Sequence, residues 1–263
     1  MRIHEVLTEE LDYVSAVCLD PSVPLRWQEI MEPCMKERKK WLKAMMAKGL
    51  RVLVALDKPE AVAESLGLEV GKVKAKAKVV HGNVAVGLIE YVPIEFACEP
   101  VEGKAGLFIN CIWVIPPFWH RGVARMLLEN CLEKARAYGG GSVLAYKGDK
   151  WFGFFPYMPT SFFEKFGFRE VGRERTRVLM YLDLGGNVKP KLIKARSVKV
   201  EKSDKLVVDE EVWCVVNAIN TDDRKIIEKY GLSRGICIND VPVLKRMASL
   251  KEVELIVKQT MKR

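Results

Sequence analysis

The sequence lacks the short motifs that mark several large classes of enzyme. Its 263 residues include three histidines, His4, His81 and His120, and neither an HExxH motif nor a CxxC pair occurs. A GxxxxGKS or GxxxxGKT loop and a GxGxxG fingerprint are also missing. Zinc enzymes, P-loop nucleotidases and Rossmann dehydrogenases therefore lose their usual sequence support, and we expect no metal site.

Long hydrophobic runs are missing as well, since none approaches the roughly 18 apolar residues of a membrane span. The start of the chain, MRIHEVLTEELDY, has no basic region followed by an apolar one, so no secretory signal is visible. The seven cysteines are odd in number and favour free thiols over a disulfide framework. We expect a globular protein of the cytoplasm without a membrane partner.

A moderate excess of positive charge is present, with a net charge of +9 at pH 7. Residues 186–263 contain 17 lysines and arginines against 11 acidic residues. An excess of this kind fits binding to nucleic acid, binding to a small anion, or solubility alone. Because the cations are mixed with acids rather than gathered in one stripe, nucleic acid is the less favoured partner.

Apolar periodicity, together with glycine and proline breaks, predicts a chain of the α/β class. The predicted helices cover about residues 8–20, 25–48, 122–138 and 161–166, and the predicted strands cover 51–56, 84–94, 106–115, 142–146 and 168–184. A further strand is predicted over 72–79, where lysines alternate with apolar residues. The strand–helix–strand order around 122–138 implies that the strands 106–115 and 142–146 run parallel.

The most informative segment is the loop after Pro116 and Pro117, which leads into the helix at residue 122. A helix N-terminus offers about four N–H groups without helical acceptors and about half a positive charge. Gly122 has no Cβ, so a ligand can approach its backbone closely, and the basic side chains around it add positive charge. This pattern predicts a cradle for a pyrophosphate. The alternative is a plain strand–loop–helix crossover with a basic surface.

Two motifs in this region resemble those of the GNAT acetyltransferase superfamily. Val114-Ile115-Pro116, followed by Trp119-His120-Arg121-Gly122-Val123-Ala124, is similar to the family's V-x-P and Q/R-x-x-G-x-G/A signature. The later run FFEKFGF, which ends at Phe168, is similar to its second motif. The resemblance covers about residues 1–185. It implies the GNAT acyl-CoA N-acyltransferase fold, a mixed, mostly antiparallel sheet flanked by helices.

The resemblance implies acetyl-CoA as the acyl donor, bound in a V-shaped gap where the strands 106–115 and 142–146 splay apart. Backbone groups of residues 112–114 would pair with the pantetheine arm, and amides of residues 120–125 would hold the pyrophosphate. The implied coenzyme contacts are Ile112, Trp113, Val114, Trp119, His120, Arg121, Gly122, Val123, Ala124, Arg125 and Phe163. The acceptor would be a primary amine, on a small molecule or a peptide, that attacks the thioester directly.

Two departures from the family's pattern concern proton transfer. Phe163 stands where the family often has a tyrosine acid, and Asn110 stands where it often has a glutamate base. The substitutes nearby in sequence are Tyr157, Ser161, Cys111, Glu90 and Glu95, of which Tyr157 is favoured as the acid. The aromatic residues of the segment 151–157 either line the acceptor site or cover the core. Two functions remain open, an N-acetyltransferase and an acyl-CoA-binding regulator without turnover.

A second domain is predicted after Gly185, Gly186 and Pro190, which gives a domain over 1–185 and a small α/β domain over 190–263. In the small domain, strands are predicted at 205–218, 235–238 and 241–244, and helices at 221–231 and 249–261. This order resembles the second half of the thioredoxin-like module found in YoaP-type acetyltransferases. Because the module lacks a CxxC pair, packing or partner docking is favoured over redox chemistry.

Overall fold

The chain divides into two compact units. The first consists of residues 1–96 and 103–190, and the second of residues 97–102 and 191–263. A computed structural model describes residues 1–19, 25–77, 79–147, 157–174, 176–186, 189–194, 204–209, 212–216, 224–231, 236–238 and 241–244. All of the predicted coenzyme contacts belong to the first unit.

Strands and helices alternate along the first unit, and short strands dominate the second. In chain order the strands are β1 Arg2–Glu5, β2 Arg51–Asp57, β3 Val84–Pro93, β4 Val101–Glu102, β5 Leu107–Val114, β6 Gly140–Tyr146, β7 Arg169–Glu174, β8 Arg177–Asp183, β9 Lys191–Leu192, β10 Asp204–Asp209, β11 Val212–Val216, β12 Ile236–Ile238 and β13 Val241–Leu244. The α-helices are α1 Asp12–Cys18, α2 Leu25–Met46, α3 Pro59–Leu66, α4 Val70–Lys76, α5 Val123–Arg136, α6 Thr160–Glu164 and α7 Arg224–Tyr230.

A seven-stranded sheet forms the centre of the first unit, in the order β1-β2-β3-β5-β6-β8-β7. Within it β5 and β6 run parallel, and every other neighbouring pair is antiparallel. Helix α5 connects β5 to β6 and packs on the sheet through buried residues that include Val123, Leu127 and Cys131. The predicted mixed, mostly antiparallel sheet and its parallel pair are confirmed.

A bulge in β5 opens the sheet at the position that matters for the site. Parallel pairing with β6 covers residues 107–109, opposite 141–143, although both strands continue beyond these residues. On the other side of β5, Cys111 pairs with Glu90 and Ile109 with Tyr91, so Asn110 is an extra residue in the ladder. An extra residue bends a strand and increases its twist. β5 and β6 therefore part after Ile109, as the resemblance implies.

The segment between β2 and β3 differs from the prediction. The residues predicted as a strand over 72–79 include most of α4, and α3 precedes them. Val70, Val73 and Ala77 recur at three- and four-residue steps, and Val73 and Ala77 are buried. α4 packs against α3. The helical spacing of these apolar residues therefore decides the structure, and Lys72 and Lys74 lie on the exposed side of the helix.

Two smaller features of the first unit also differ. β1, which pairs antiparallel with β2 at the edge of the sheet, was not predicted, because four residues are too short for a periodic pattern. The predicted strand over 168–184 is a hairpin formed by β7 and β8. Among the described residues, no helix is long and apolar enough to cross a membrane.

The second unit contains a segment from the middle of the chain. β4 pairs antiparallel with β9, and the Arg224 guanidinium of α7 donates to the carbonyls of Ala97 (3.1 Å) and Val101 (2.5 Å). β10–β11 and β12–β13 are antiparallel pairs, and α7 lies within the predicted helix 221–231. The predicted helix over 249–261 lies outside the described residues. The thioredoxin-like character of this unit stays a prediction.

Candidate active site

A cavity of about 740 Å³ lies between the end of β5, the start of α5 and α6. Most of its wall is apolar or aromatic. The lining residues are Ile112, Trp113, Val114, Phe118, Trp119, His120, Gly122, Val123, Ala124, Arg125, Met158, Pro159, Phe162, Lys165 and Phe166. They include all of the predicted coenzyme contacts except Arg121 and Phe163.

The N-terminus of α5 forms one end of this cavity. The first helical hydrogen bond runs from the Met126 N–H to the Gly122 carbonyl (3.0 Å), so the amides of residues 123–125 have no acceptor within the helix. Gly122, at the N-cap, has a left-handed φ of 80° and no side-chain cap. Apart from Gly122 and its two chain neighbours, no atom of the described chain lies within 4 Å of the position that a Cβ on Gly122 would take. The first N–H groups of α5 therefore have no helical acceptor, and the space next to Gly122 is open to a ligand.

Charge in the cavity has one sign. Of the lining residues that the structure describes, Arg125 and Lys165 are cationic, His120 adds an imidazole, and none is acidic. The Arg125 guanidinium lies 5.7 Å from the ring centre of Phe166, which fixes its position beside the helix start. An anion is therefore favoured at this end of the cavity, by the helix N–H groups and by the side chains together.

Trp119 occupies the position where the family usually has glutamine or arginine. Its indole N–H donates to the Val114 carbonyl (2.5 Å), and its ring meets that of Trp113 edge-on at 5.9 Å. The Val114 carbonyl is one of the backbone groups predicted to pair with the pantetheine arm. One of its two lone pairs is already engaged, so one acceptor position remains there for a ligand.

Two of the predicted coenzyme contacts direct their side chains elsewhere. Arg121 donates to the Ser65 hydroxyl of α3 (2.8 Å) and lies 5.2 Å from the ring centre of the lining residue Phe118, so its side chain lies behind the cavity wall and does not line the cavity. Phe163 is fully buried against Phe162 and Phe168. Sequence reasoning missed six lining residues, Phe118, Met158, Pro159, Phe162, Lys165 and Phe166. The four-residue spacing of Phe162 and Phe166 in the predicted helix over 161–166 could have indicated that both face the same side, although α6 itself ends at Glu164.

Tyr157 lies at the gap between β5 and β6, beside the lining residue Trp113 at 6.4 Å between ring centres, although neither Tyr157 nor Cys111 itself lines the cavity. The Tyr146 N–H donates to the Met158 carbonyl (3.0 Å), and Tyr146 also pairs with Pro159, so this segment continues from the end of β6. The Tyr157 hydroxyl donates to the Cys111 sulfur on β5 (3.5 Å). Burial raises the pKa of Tyr157 well above 10, and the neighbouring Cys111 adds to the shift. The hydroxyl keeps its proton near neutral pH, which suits an acid and not a base.

The thiols near this position are also protonated. Burial raises the pKa of the Cys111 thiol to about 12, with a further contribution from Glu90, and burial raises the pKa of Cys18 to about 11. A nucleophilic cysteine needs a thiolate, which an electropositive and partly exposed site favours. Cys111 as a nucleophile therefore has no support from its surroundings.

The other candidates for proton transfer divide into buried and exposed groups. Glu90 is 1% exposed and forms an ion pair with Arg38 of α2. Ser161 and Glu95 are exposed and outside the cavity lining. The side-chain amide of Asn110, in the β5 bulge, is buried without a hydrogen-bond partner among the described residues. Residues 151–156, the rest of the predicted aromatic segment, lie outside the described chain.

The Arg38–Glu90 pair should stabilise the first unit. Removing one partner of a buried pair leaves an uncompensated charge, and we expect Arg38→Met to lower the free energy of unfolding by about 3 kcal/mol. Glu90→Gln should cost less, because the Arg38 side chain is 30% exposed and can be hydrated. Urea denaturation of both variants measures the difference.

The control for this prediction is Lys40→Met on the same helix. Lys40 forms an ion pair with Glu37, and both side chains of this pair are exposed to solvent. An exposed pair contributes about 0–1 kcal/mol. If Arg38→Met destabilises the protein no more than Lys40→Met, the buried pair does not have the role assigned to it.

Comparison with known proteins bears directly on this region. Residues 68–150, which include β3, β5, the loop, α5 and β6, match the model of the acetyltransferase (GNAT) family. This segment is therefore similar to GNAT acetyltransferases, and it contains the Gly122 loop and most of the β5 side of the cavity. The match supports the predicted acyltransferase class.

One curated relative is similar to part of the chain. It is the uncharacterized N-acetyltransferase YoaP of Bacillus subtilis (strain 168), 30% identical over 138 residues, which are 52% of this chain and 43% of the relative. The chain thus spans less than half the length of the relative that it matches.

Solved structures of the GNAT type are similar at low identity. The PaiA N-acetyltransferase of Thermoplasma acidophilum, solved with coenzyme A, is 14% identical with a TM-score of 0.42, covering 70% of this chain and 99% of that one. A GNAT family acetyltransferase of Brucella melitensis, solved with acetyl-CoA, is 16% identical with a TM-score of 0.36, covering 70% of this chain and 89% of that one.

Proposed function

We propose that this protein is an N-acetyltransferase that transfers the acetyl group of acetyl-CoA to a primary amine. The observation that carries the proposal is the continuity of the site. The edge of β5 that β6 leaves unpaired runs directly to the uncapped N-terminus of α5, along one cavity with cations and no acid among its described lining residues. An elongated ligand with an anionic end fits these features.

Each part of acetyl-CoA has a suitable counterpart in this cavity. The pyrophosphate fits the amides of residues 123–125, next to the open surface of Gly122. The amide-bearing pantetheine arm fits the edge of β5 over residues 112–114, where it replaces the missing strand. The aromatic side chains of Trp113, Phe162 and Phe166 supply apolar surface. The thioester then lies toward the inner end of the gap, beside Tyr157.

The chemistry requires a balanced transfer of protons. The amine nitrogen forms a bond to the thioester carbonyl carbon, and the carbon–sulfur bond breaks. Tyr157 gives its proton to the departing sulfur, and the proton lost by the amine passes through water, from which the phenolate regains its own. A protonated, half-buried hydroxyl at the point where the strands part is suited to this role. The acceptor amine belongs to a small molecule or a peptide.

The rival function is an acyl-CoA-binding regulator without turnover, favoured by the absence of the family's usual acid at Phe163 and base at Asn110. Steady-state release of coenzyme A thiol from acetyl-CoA, with polyamines, aminoglycosides and peptides with free amino groups as acceptors, separates the two. We expect amine-dependent thiol release. Tight binding of coenzyme A without thiol release above the amine-free rate would support the regulator.

A further inference from the structure

One hydrogen bond joins the two sides of the gap between β5 and β6. Cys111 belongs to β5, two residues beyond the last residue that pairs with β6. Tyr157 begins the segment that is attached to the end of β6 through Tyr146. The bond from the Tyr157 hydroxyl to the Cys111 sulfur, 3.5 Å long, therefore crosses the gap where the strands have parted.

We propose that Cys111 is a positioning residue whose sulfur holds the Tyr157 hydroxyl where it can protonate the thiolate that leaves in acyl transfer. This role rests on the proposed function, because it requires that the thioester bind at the inner end of the gap. Cys111 itself exchanges no proton and forms no bond with the substrate. It acts through the direction that it gives to the O–H group.

A thiol is well suited to orient a proton that must later be released. Sulfur is a weak hydrogen-bond acceptor. The bond to Cys111 therefore aligns the Tyr157 hydroxyl, and breaking that bond costs little free energy. A thiolate is a much stronger acceptor, because hydrogen bonds to charged groups are about twice as strong as neutral ones. The Tyr157 hydroxyl should therefore give up its hydrogen bond to Cys111 and transfer its proton to the substrate sulfur as the carbon–sulfur bond breaks.

The surroundings of Cys111 keep it neutral and fixed. It lies directly opposite Glu90 on β3, and the Asn110 bulge immediately before it sets the direction of the strand. Burial and the Glu90 carboxylate both raise the pKa of the thiol, which prevents formation of a thiolate that would bind the hydroxyl proton too strongly. The Arg38–Glu90 ion pair holds the carboxylate in place beside it.

The proton balance is that of the proposed reaction. The Tyr157 O–H bond breaks and an S–H bond forms on coenzyme A. The amine loses one proton to water, and the phenolate takes one from water. The hydrogen bond to Cys111 then forms again, and no oxidant or reductant takes part.

The test is a double-mutant cycle on the full chain. Cys111→Ala should lower kcat about tenfold, as expected for a misdirected catalytic group, and leave the KM for acetyl-CoA within about twofold. In the Tyr157→Phe background, Cys111→Ala should have no further effect on kcat, because no hydroxyl is left to position. Cys111→Val repeats the cycle with a side chain of suitable volume for a strand, should the alanine variant fail to fold.

Cys131→Ala is the matched control, because Cys131 is a free, buried thiol on α5 and not on the strand that borders the gap. It should leave kcat and KM unchanged. If Cys111→Ala and Cys111→Val keep the wild-type kcat, or lower it equally with and without Tyr157, the positioning role is wrong and the acetyltransferase proposal stands. If the wild-type protein turns over no amine, both proposals are wrong.

Discussion

Coenzyme A should bind at least about a hundredfold more weakly to the Gly122→Asp variant than to the wild-type protein. The residue lies at the N-cap of α5, and the space beyond it is open to the cavity. A carboxylate placed there repels a phosphate a few ångströms away, and a repulsion of about 3–4 kcal/mol at a protein surface corresponds to two or more orders of magnitude in the dissociation constant. Isothermal titration calorimetry with coenzyme A measures the effect.

The control is Gly122→Asn, which has the same shape without the charge. Asparagine and aspartate both tolerate the left-handed backbone that Gly122 adopts, with φ of 80°, better than other side chains do. The difference between the two variants therefore isolates charge from backbone strain. Equal affinity of Gly122→Asp and Gly122→Asn would mean that no phosphate lies at this helix end.

The second large effect is expected from Tyr157→Phe. Removing only the hydroxyl should lower kcat by about two orders of magnitude, because a general acid typically contributes that factor or more. Binding of coenzyme A should be unchanged, since the proposed pyrophosphate site is at the start of α5 and does not include Tyr157. Thiol release under saturating acetyl-CoA and amine measures kcat, and calorimetry measures the affinity.

Tyr91→Phe is the control for this substitution, because Tyr91 is a buried tyrosine on β3, outside the segment that crosses the gap between β5 and β6. It should leave kcat near the wild-type value. Equal kcat for Tyr157→Phe and the wild-type protein would exclude Tyr157 as the acid.

The pH dependence of kcat follows from the direction of the Tyr157 shift. An acid acts in its protonated form, which predominates below its pKa, and burial raises this pKa well above 10. The alkaline loss of kcat that Tyr157 causes should therefore fall above pH 10, so that it does not limit the rate near neutral pH. An alkaline limb near pH 8 that disappears in Tyr157→Phe would contradict this.

Features encoded by short stretches of sequence were predictable. Three neighbouring features predict the strand–helix–strand unit and its helix N-terminus: the apolar strand before Pro116, the glycine at 122 and the amphipathic helix that follows it. Most of the cavity wall on the β5 side followed from them. The strand predicted over 72–79 failed because alternating lysines fit a strand and a helix equally well until the packing of Val73 is known.

Features that depend on distant pairing were not predictable. The bulge at Asn110 exists only in the register between β5 and β3. Arg121 leaves the cavity because Ser65, 56 residues earlier, accepts its hydrogen bond, and Cys111 meets Tyr157 across 46 residues. The membership of residues 97–102 in the second unit likewise depends on contacts with Lys191 and Arg224.

A crystal structure of the protein with acetyl-CoA tests the central claim most directly. We expect the pyrophosphate on the amides of residues 123–125, the pantetheine arm along residues 112–114 of β5, and the thioester sulfur within hydrogen-bond reach of the Tyr157 hydroxyl. A coenzyme bound away from the start of α5, or bound there with its sulfur far from the inner end of the gap, would contradict the site described for this protein.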